Sequence, residues 1–362
     1  DATTNLSSGH EIFKGLISTT GPLTTLQCQG AAGAPIPSDP TGATGPGIND
    51  FGTSHTPRGG TYSAAGKLFY DHNNTTYHGA LIDPAFFTNS DNSSGVGISI
   101  LPHADDAFKA GSTVAQFPKQ FEVPGAHPVF AHWPSIGIDA SDRVYLVWDS
   151  ATKDTNGNLD NAIMLSTIDL HNTGAGFTPP ITITAPGKSV LWPWVAVPSS
   201  AAGVGNVAVV WYQYDRVTNP DSGTGNVSLL ESNVFKANTK SPTILGPSDA
   251  VGAPIHSGGM CQSGTTCVAT GQDRRLGDFF TNAVDQNGCV MIASGETTTD
   301  PTAATSRPLF IQQTNGTSLT NQTCVVPAAG VPEAPLVSLI VVAGGGATVL
   351  LARRRRRGLA AI

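Results

Sequence analysis

Charge is what this 362-residue chain has least of: only 12% of its residues are Asp, Glu, Lys or Arg. Glutamate is scarcer still, with only Glu11, Glu122, Glu231 and Glu296 before the final segment. Five of the 19 basic residues are Arg353 to Arg357, and the residues before them carry 14 basic against 26 acidic side chains, a net of −12. Such a surface repels phosphate backbones and excludes nucleic acid as a partner. There are five cysteines and no Cys-x-x-Cys pair, so a zinc ribbon or thiol-redox motif is excluded. The nine histidines show no His-Glu-x-x-His or similar ligand spacing. His72 with His78, and His127 with His132, read as turn or surface residues. No stretch before residue 336 carries a helical apolar period, and no signal peptide is visible in the sequence, which opens on Asp1 rather than Met. The chain is therefore expected either to be processed or to begin inside a longer protein.

One long apolar run is present, from Leu336 to Ala352, followed by Arg353 to Arg357. Seventeen residues at helical rise suffice to cross a bilayer core, and Gly344, Gly345 and Gly346 permit close helix packing. The arginines stay on the cytoplasmic side, which places everything upstream outside the cell. The expected location is the cell surface, with the membrane as a partner through the C-terminal helix. Pro332-Glu333-Ala334-Pro335, the apolar run and the arginine cluster together resemble the PEP-CTERM class of surface-protein sorting signals. That resemblance implies an exosortase-type processing enzyme as a further partner; a plain uncut anchor is the other reading.

An exported protein meets an oxidising compartment, so cysteines are read as disulfides. Cys261 and Cys267 enclose a short loop, and Cys289 and Cys324 bracket two strand-like runs, so these pairs are expected; Cys28 is left over. Asn-x-Ser/Thr sequons begin at Asn5, Asn73, Asn74, Asn92, Asn226, Asn315 and Asn321, which permits glycosylation without requiring it.

A repeat organises the middle of the chain. Trp133-Pro-Ser-Ile-Gly-Ile-Asp139, a turn at 140–142 and Arg143-Val-Tyr-Leu-Val-Trp-Asp149 form one copy. Trp192-Pro-Trp-Val-Ala-Val197 with Asn206-Val-Ala-Val-Val-Trp-Tyr212 form a second. Gly277–Asp285 with Cys289–Ser294 form a third, and Gly60–Ala64 with Lys67–Asp71 a fainter one around a turn at Ala65-Gly66. Each reads as strand, tight turn, strand. The second strands are almost continuously Val, Ile, Leu and aromatic, as strands covered on both faces are. Further strands are expected at 161–168, 181–184, 227–234, 243–245 and 308–313. Four strands per unit, repeating every 60–80 residues or so, describe propeller blades. Stacked sandwich domains, each needing about 100 residues, are the alternative.

These strand pairs resemble the sialidase superfamily, whose inner strands share the pattern of Pro134-Ser-Ile-Gly-Ile-Asp139 and Val144-Tyr-Leu-Val-Trp148. The resemblance implies an all-β, sialidase-like β-propeller of five or six blades, with room for missing upstream sequence, plus one C-terminal transmembrane helix. Residues 1–55 are a leading segment or partial blade, 56–325 the propeller, 326–335 a linker, 336–357 the anchor with its arginines, and 358–362 a tail. Ser166, Asp169, Gly176 and Phe177 stand where an Asp box would be, at altered spacings. Active sialidases use three arginines, a Tyr-Glu nucleophile and an Asp. The Arg-Ile-Pro motif of that set is absent here, and Glu231 with Tyr212 or Tyr214 is the one available pair. The expected function is non-catalytic binding of a surface glycan or protein; a sialidase-like exo-hydrolase of acidic glycans is the alternative.

Residues just before innermost strands converge at one end of a propeller axis. That convergence nominates Arg58, His132, Trp133, Trp192, Trp194, Arg275 and Asp278 as a ligand-binding rim, with tryptophans for sugar faces and arginines for carboxylates. Tryptophans that merely wedge neighbouring blades together, and an Asp273-Arg274-Arg275-Asp278 cluster that ties down a loop, are the competing readings. No cofactor is expected. Asp154, Asn156, Asn158 and Asp160 have an oxygen-ligand spacing that would suit calcium, but Asn156-Gly157 is equally a hairpin turn.

Overall fold

The computed structural model describes residues 10–15, 48–54, 61–64, 68–71, 74, 76–88, 94–102, 119–125 and 133–325, the last without 185, 264, 265, 278, 279 and 304. The chain divides into two units, Asp1–Cys324 and Val325–Ile362. Among the described residues no helix is long and apolar enough to cross a membrane, and the 336–352 run lies outside them.

Among the described residues the first unit is built of β-strands, with one short α-helix, α1 (Thr266–Thr270), and 3-10 turns at Thr173–Ala175 and Ala201–Gly203. Strands β1 (His10–Gly15) and β2 (Ile48–Ser54) pair with each other. Sheet I holds β3 (Thr61–Ala64), β4 (Phe69–Asp71), β5 (Ala80–Thr88), β6 (Ser94–Pro102) and β7 (Lys119–Glu122). Sheet II holds β8 (Ser135–Ile138), β9 (Arg143–Lys153), β10 (Leu159–Asp169) and β11 (Ile181–Thr182). Sheet III holds β12 (Val190–Ala196), β13 (Val207–Tyr214), β14 (Asn226–Phe235), β15 (Thr243–Asp249) and β16 (His256–Ser257). Sheet IV holds β17 (Thr281–Val284), β18 (Val290–Glu296) and β19 (Arg307–Gln312). All pairings are antiparallel, and sheets II to IV run as meanders in chain order.

Aspartate side chains make the tight reversals. Asp139 Oδ1 accepts the N–H groups of Ser141 at 2.8 Å and Arg143 at 3.3 Å, and Asp285 Oδ1 accepts those of Asn287 at 2.8 Å and Cys289 at 2.9 Å. A carboxylate that bonds its own backbone two and four residues on fixes the turn before any strand pairs.

The expected hairpins in sheets II, III and IV are present; the one at Ala65-Gly66 is not. β3 and β4 both pair with β5, Ala64 against Ala85 and Phe69 against Ile82, so they are successive segments of one strand position. The reversal comes later, at Asn74. Its Oδ1 accepts the Tyr77 N–H at 3.0 Å, its carbonyl accepts the Gly79 N–H at 2.9 Å, and His78 and Gly79 take φ of 55° and 77°. An Asn followed by a left-handed pair outcompetes Ala-Gly as the reversing element.

Three apolar cores lie between consecutive sheets. Ile82, Ile98 and Ile100 of sheet I meet Val144, Leu146 and Trp148 of sheet II. Tyr145 and Val147 of sheet II meet Val207, Val209 and Trp211 of sheet III. Ala208, Val210 and Tyr212 of sheet III meet Phe280, Val290 and Ile292 of sheet IV. Successive residues of β9 and β13 thus alternate between two cores, which is why their sequences are apolar without a break. Sheets II and III each belong to two cores, whereas a sheet in a sandwich has one inner face.

The candidate binding edge

In an antiparallel meander the start of the first strand lies beside the end of the second and the start of the third. The beginnings of β8, β12 and β17 therefore share an edge of their sheets with the β9–β10, β13–β14 and β18–β19 connections. Among the nominated residues, Trp133 precedes β8 and is 42% exposed, which presents its ring to solvent. Arg58, His132 and Asp278, together with Cys28, lie outside the described residues.

Trp192 and Trp194 are brought together, by a bulge. Pairing of β12 with β13 slips between Leu191 and Trp194, and Trp192 adopts φ = 50°. A left-handed, bulky residue in a strand costs of order 1–3 kcal/mol and persists only where its surroundings hold it. Here the slip turns Leu191, Trp192 and Trp194 all toward sheet IV instead of alternating. Trp192 stands edge-on to Tyr212 at 6.2 Å, Tyr212 lies 4.3 Å from Phe280, and Phe280 is edge-on to Trp194 at 6.4 Å. Trp192 is only 5% exposed, so it packs between sheets III and IV; Trp194 is half-buried.

Arg275 belongs to a knot of loops. The disulfide Cys261–Cys267, with Cα atoms 5.8 Å apart, closes one loop, and Cys289–Cys324 joins the β17–β18 turn to the chain after β19. The Cys261 N–H donates to the Asp273 carbonyl and Arg274 Nη1 to the Cys261 carbonyl, both at 2.8 Å. Arg275 grips the Asp273 carboxylate through Nε and Nη2, the latter at 2.6 Å. Its Nη1 donates to the carbonyls of Pro301 at 2.8 Å and Ala303 at 3.0 Å. Burial would raise the Asp273 carboxyl, but the Arg275 side-chain and backbone hydrogen bonds outweigh it and hold it below the usual range. His256, 1% exposed, completes the knot: Nδ1 faces Thr297 Oγ1 at 2.8 Å and Nε2 faces the Gly259 carbonyl at 3.2 Å. A carbonyl accepts, so Nε2 carries the proton, and burial lowers the pKa of the ring and keeps it neutral.

The Tyr-Glu pairing is not made through the hydroxyl contacts the structure shows. Tyr212 Oη is 3.0 Å from Ser294 Oγ. The Tyr214 hydroxyl faces the carbonyls of Pro220 and Gly258 at 3.3 and 3.1 Å and accepts the Met260 N–H at 3.1 Å. Burial raises its pKa well above the ordinary tyrosine value. Glu231 lies on β14 opposite Val210, which is itself opposite Trp194, so it shares the face turned toward sheet IV. Burial pushes its carboxyl up to about 7, and Oε1 has no hydrogen-bond partner among the described residues.

The Asp154 segment has the geometry of a turn. Asp154 Oδ1 accepts the N–H groups of Asn156 and Asn158, each at 2.8 Å, and Oδ2 accepts Asn158 Nδ2 at 2.9 Å. Asp160 Oδ1 instead accepts the Gly187 N–H at 2.5 Å. Sequence reasoning missed the polar seam between sheets II and III. Asn161 there imitates a strand, donating from Nδ2 to the Val190 carbonyl and accepting the Val190 N–H, both at 2.7 Å. It also missed Lys188, Gln213, Asn226 and Ser228, which line one pocket. The β13–β14 register sets Gln213 opposite Ser228, and the β12–β13 register, with Val190 opposite Gln213, brings Lys188 near them.

No family model matches the chain, and no curated relative matches it. Among solved structures it is similar to an intramolecular trans-sialidase from Ruminococcus gnavus, at 10% identity and a TM-score of 0.36. That match covers 71% of this chain and 45% of the other. An α-L-arabinanase from Penicillium chrysogenum aligns at 14% identity and 0.36 over 68% of this chain and 64% of its own. A GH43 endo-arabinanase from Bacillus licheniformis aligns at 12% identity and 0.30 over 69% and 73%. The chain thus spans less than two thirds of the first two of these structures.

Proposed function

We propose that this protein is an exported β-propeller of the sialidase type, anchored at the cell surface by residues 336–357, that binds carbohydrate without cutting it. Two-sided burial of sheets II and III and the chain-order succession of meanders support the propeller. The arginine-flanked apolar run and the two disulfides support export. The observation that carries the non-catalytic reading is Arg275: a guanidinium bound to one carboxylate and two carbonyls has no two-donor fork left for a substrate carboxylate. Trp133, exposed at the starting edge, is the group suited to stack on a sugar ring.

The test is a glycan array probed with the full-length protein and with Trp133→Ala, alongside a fluorogenic sialoside assay. Retention of a glycan by the wild type, lost in the variant at unchanged Tm, supports the reading. Turnover of the sialoside that disappears in Glu231→Gln would replace it with the hydrolase.

A further inference from the structure

The pocket of about 290 Å³ lined by Lys188, Gln213, Asn226 and Ser228 opens on sheet III and plays no part in the function proposed above. Gln213 and Ser228 stand opposite each other across β13 and β14, with Leu230 beside them and Lys188, Asp215 and Asn226 at the rim. Trp211 and Leu230, two residues before Gln213 and two after Ser228, belong to the core shared with sheet II. By the two-residue strand period, Gln213 and Ser228 share that face, so the pocket is the polar end of the II–III core. It lies on the opposite face of the sheet from Trp192 and Trp194.

The lining sorts into committed and uncommitted groups. Asp215 is spent on Arg216, which grips it through Nε at 2.7 Å and Nη2 at 3.0 Å, and this hydrogen bonding lowers the Asp215 pKa. Gln213 Oε1 accepts the Trp211 indole N–H at 3.3 Å, which leaves its amide N–H₂ to offer. Lys188 has no carboxylate within ion-pair distance, and the side chains of Asn226 and Ser228 have no hydrogen-bond partner, among the described residues. One ammonium outside any ion pair, facing Asp215 only at longer range, two amides and a hydroxyl therefore surround a small apolar floor at Leu230.

We propose that this pocket binds a carboxylate-bearing sugar residue of the hexuronate type. Lys188 pairs with the carboxylate, the amides and Ser228 take ring hydroxyls, and Leu230 lies under the apolar edge of the ring. A phosphate monoester is the poorer fit, because one point-charge donor without an arginine fork or a helix terminus leaves most of its oxygens unpaired. The site is independent of Trp133, so it stands or falls separately from the reading above.

The experiment titrates D-glucuronate, with D-glucose as the neutral control, into the full-length protein and follows chemical shifts. Saturable glucuronate binding, roughly tenfold weaker in Lys188→Gln at unchanged Tm, is the expected result, since a charge-assisted hydrogen bond is worth at least that factor. Ser228→Leu fills the pocket and abolishes binding, whereas Trp133→Ala leaves it intact. Absence of saturable binding, or glucuronate binding indifferent to both pocket variants, overturns the site.

Discussion

Sheets III and IV descend from the same repeat but are buried differently. In β13 every residue from Val207 to Tyr212 is fully covered, half facing sheet II and half facing sheet IV. In β18 only alternate residues are: Val290 and Ile292 are inside, Met291 is half-buried and Ala293 exposed. Phe310 of β19, paired to Ala293, is 69% exposed. A strand between two sheets needs an unbroken apolar sequence, and one with a single cover needs only every second residue. The difference between Val-Ala-Val-Val-Trp-Tyr and Val-Met-Ile-Ala-Ser-Gly is therefore a difference in neighbours, not in strand type.

The largest expected effect comes from breaking the two-sided case. Trp211→Ala opens a hole between sheets II and III, where the indole is fully buried, and should cost about 3–5 kcal/mol in denaturant unfolding. A loss near 1 kcal/mol would mean that the II–III core relaxes around the gap and that two-sided burial is not what stabilises sheet III.

The contrast also marks how far the sequence could be read. Hairpins in sheets II and IV were legible because Asp139 and Asp285 turns lie between apolar runs, and that in sheet III because a Gly-rich turn does; such turn chemistry is local. The reversal in sheet I was not, because Asn74 competes with Ala65-Gly66 and pairing with β5 decides between them. Both disulfides were legible from spacing and compartment. The surroundings of Trp192, Trp194 and Arg275 were not legible. Nothing in the Trp-Pro-Trp sequence announces that a slip at Trp192 turns its ring into the III–IV core. The Lys188 pocket was invisible, since its lining is drawn from separate stretches between Lys188 and Pro254 that the folded strands bring together.

A smaller effect tests how well the III–IV interface is sealed. The Glu231 carboxyl has an ordinary value of 4.5 and is pushed up to about 7 by burial. Its folded pKa lies above its unfolded one, so its contribution is fully present below pH 4.5 and is lost as pH rises through about 7. His256 works in the other direction: burial lowers its pKa, so its contribution is present above the ordinary 6.5 and is lost as pH falls. The difference between wild type and Glu231→Gln isolates the first group. The variant should gain stability relative to wild type between pH 5 and 8, measured by urea unfolding at each pH. A difference that stays constant with pH would show that water reaches the carboxyl and that the interface is open there.

The smallest expected effect is at Phe310, and it is the sharpest test of the comparison. With 69% of its surface exposed, on the face of sheet IV turned away from Val290 and Ile292, Phe310 has little burial to lose. Phe310→Ser should change stability by no more than about 0.5 kcal/mol, as for other surface positions without special contacts. The same substitution at a two-sided position would cost several times that, because it would remove the aromatic area and bury a hydroxyl. A loss above about 1.5 kcal/mol at Phe310 would therefore mean that this face is covered in the folded protein. Sheet IV would then be a second sheet III, and the apolar residues Ala283, Met291, Ala293 and Phe310 would be an interface rather than a surface.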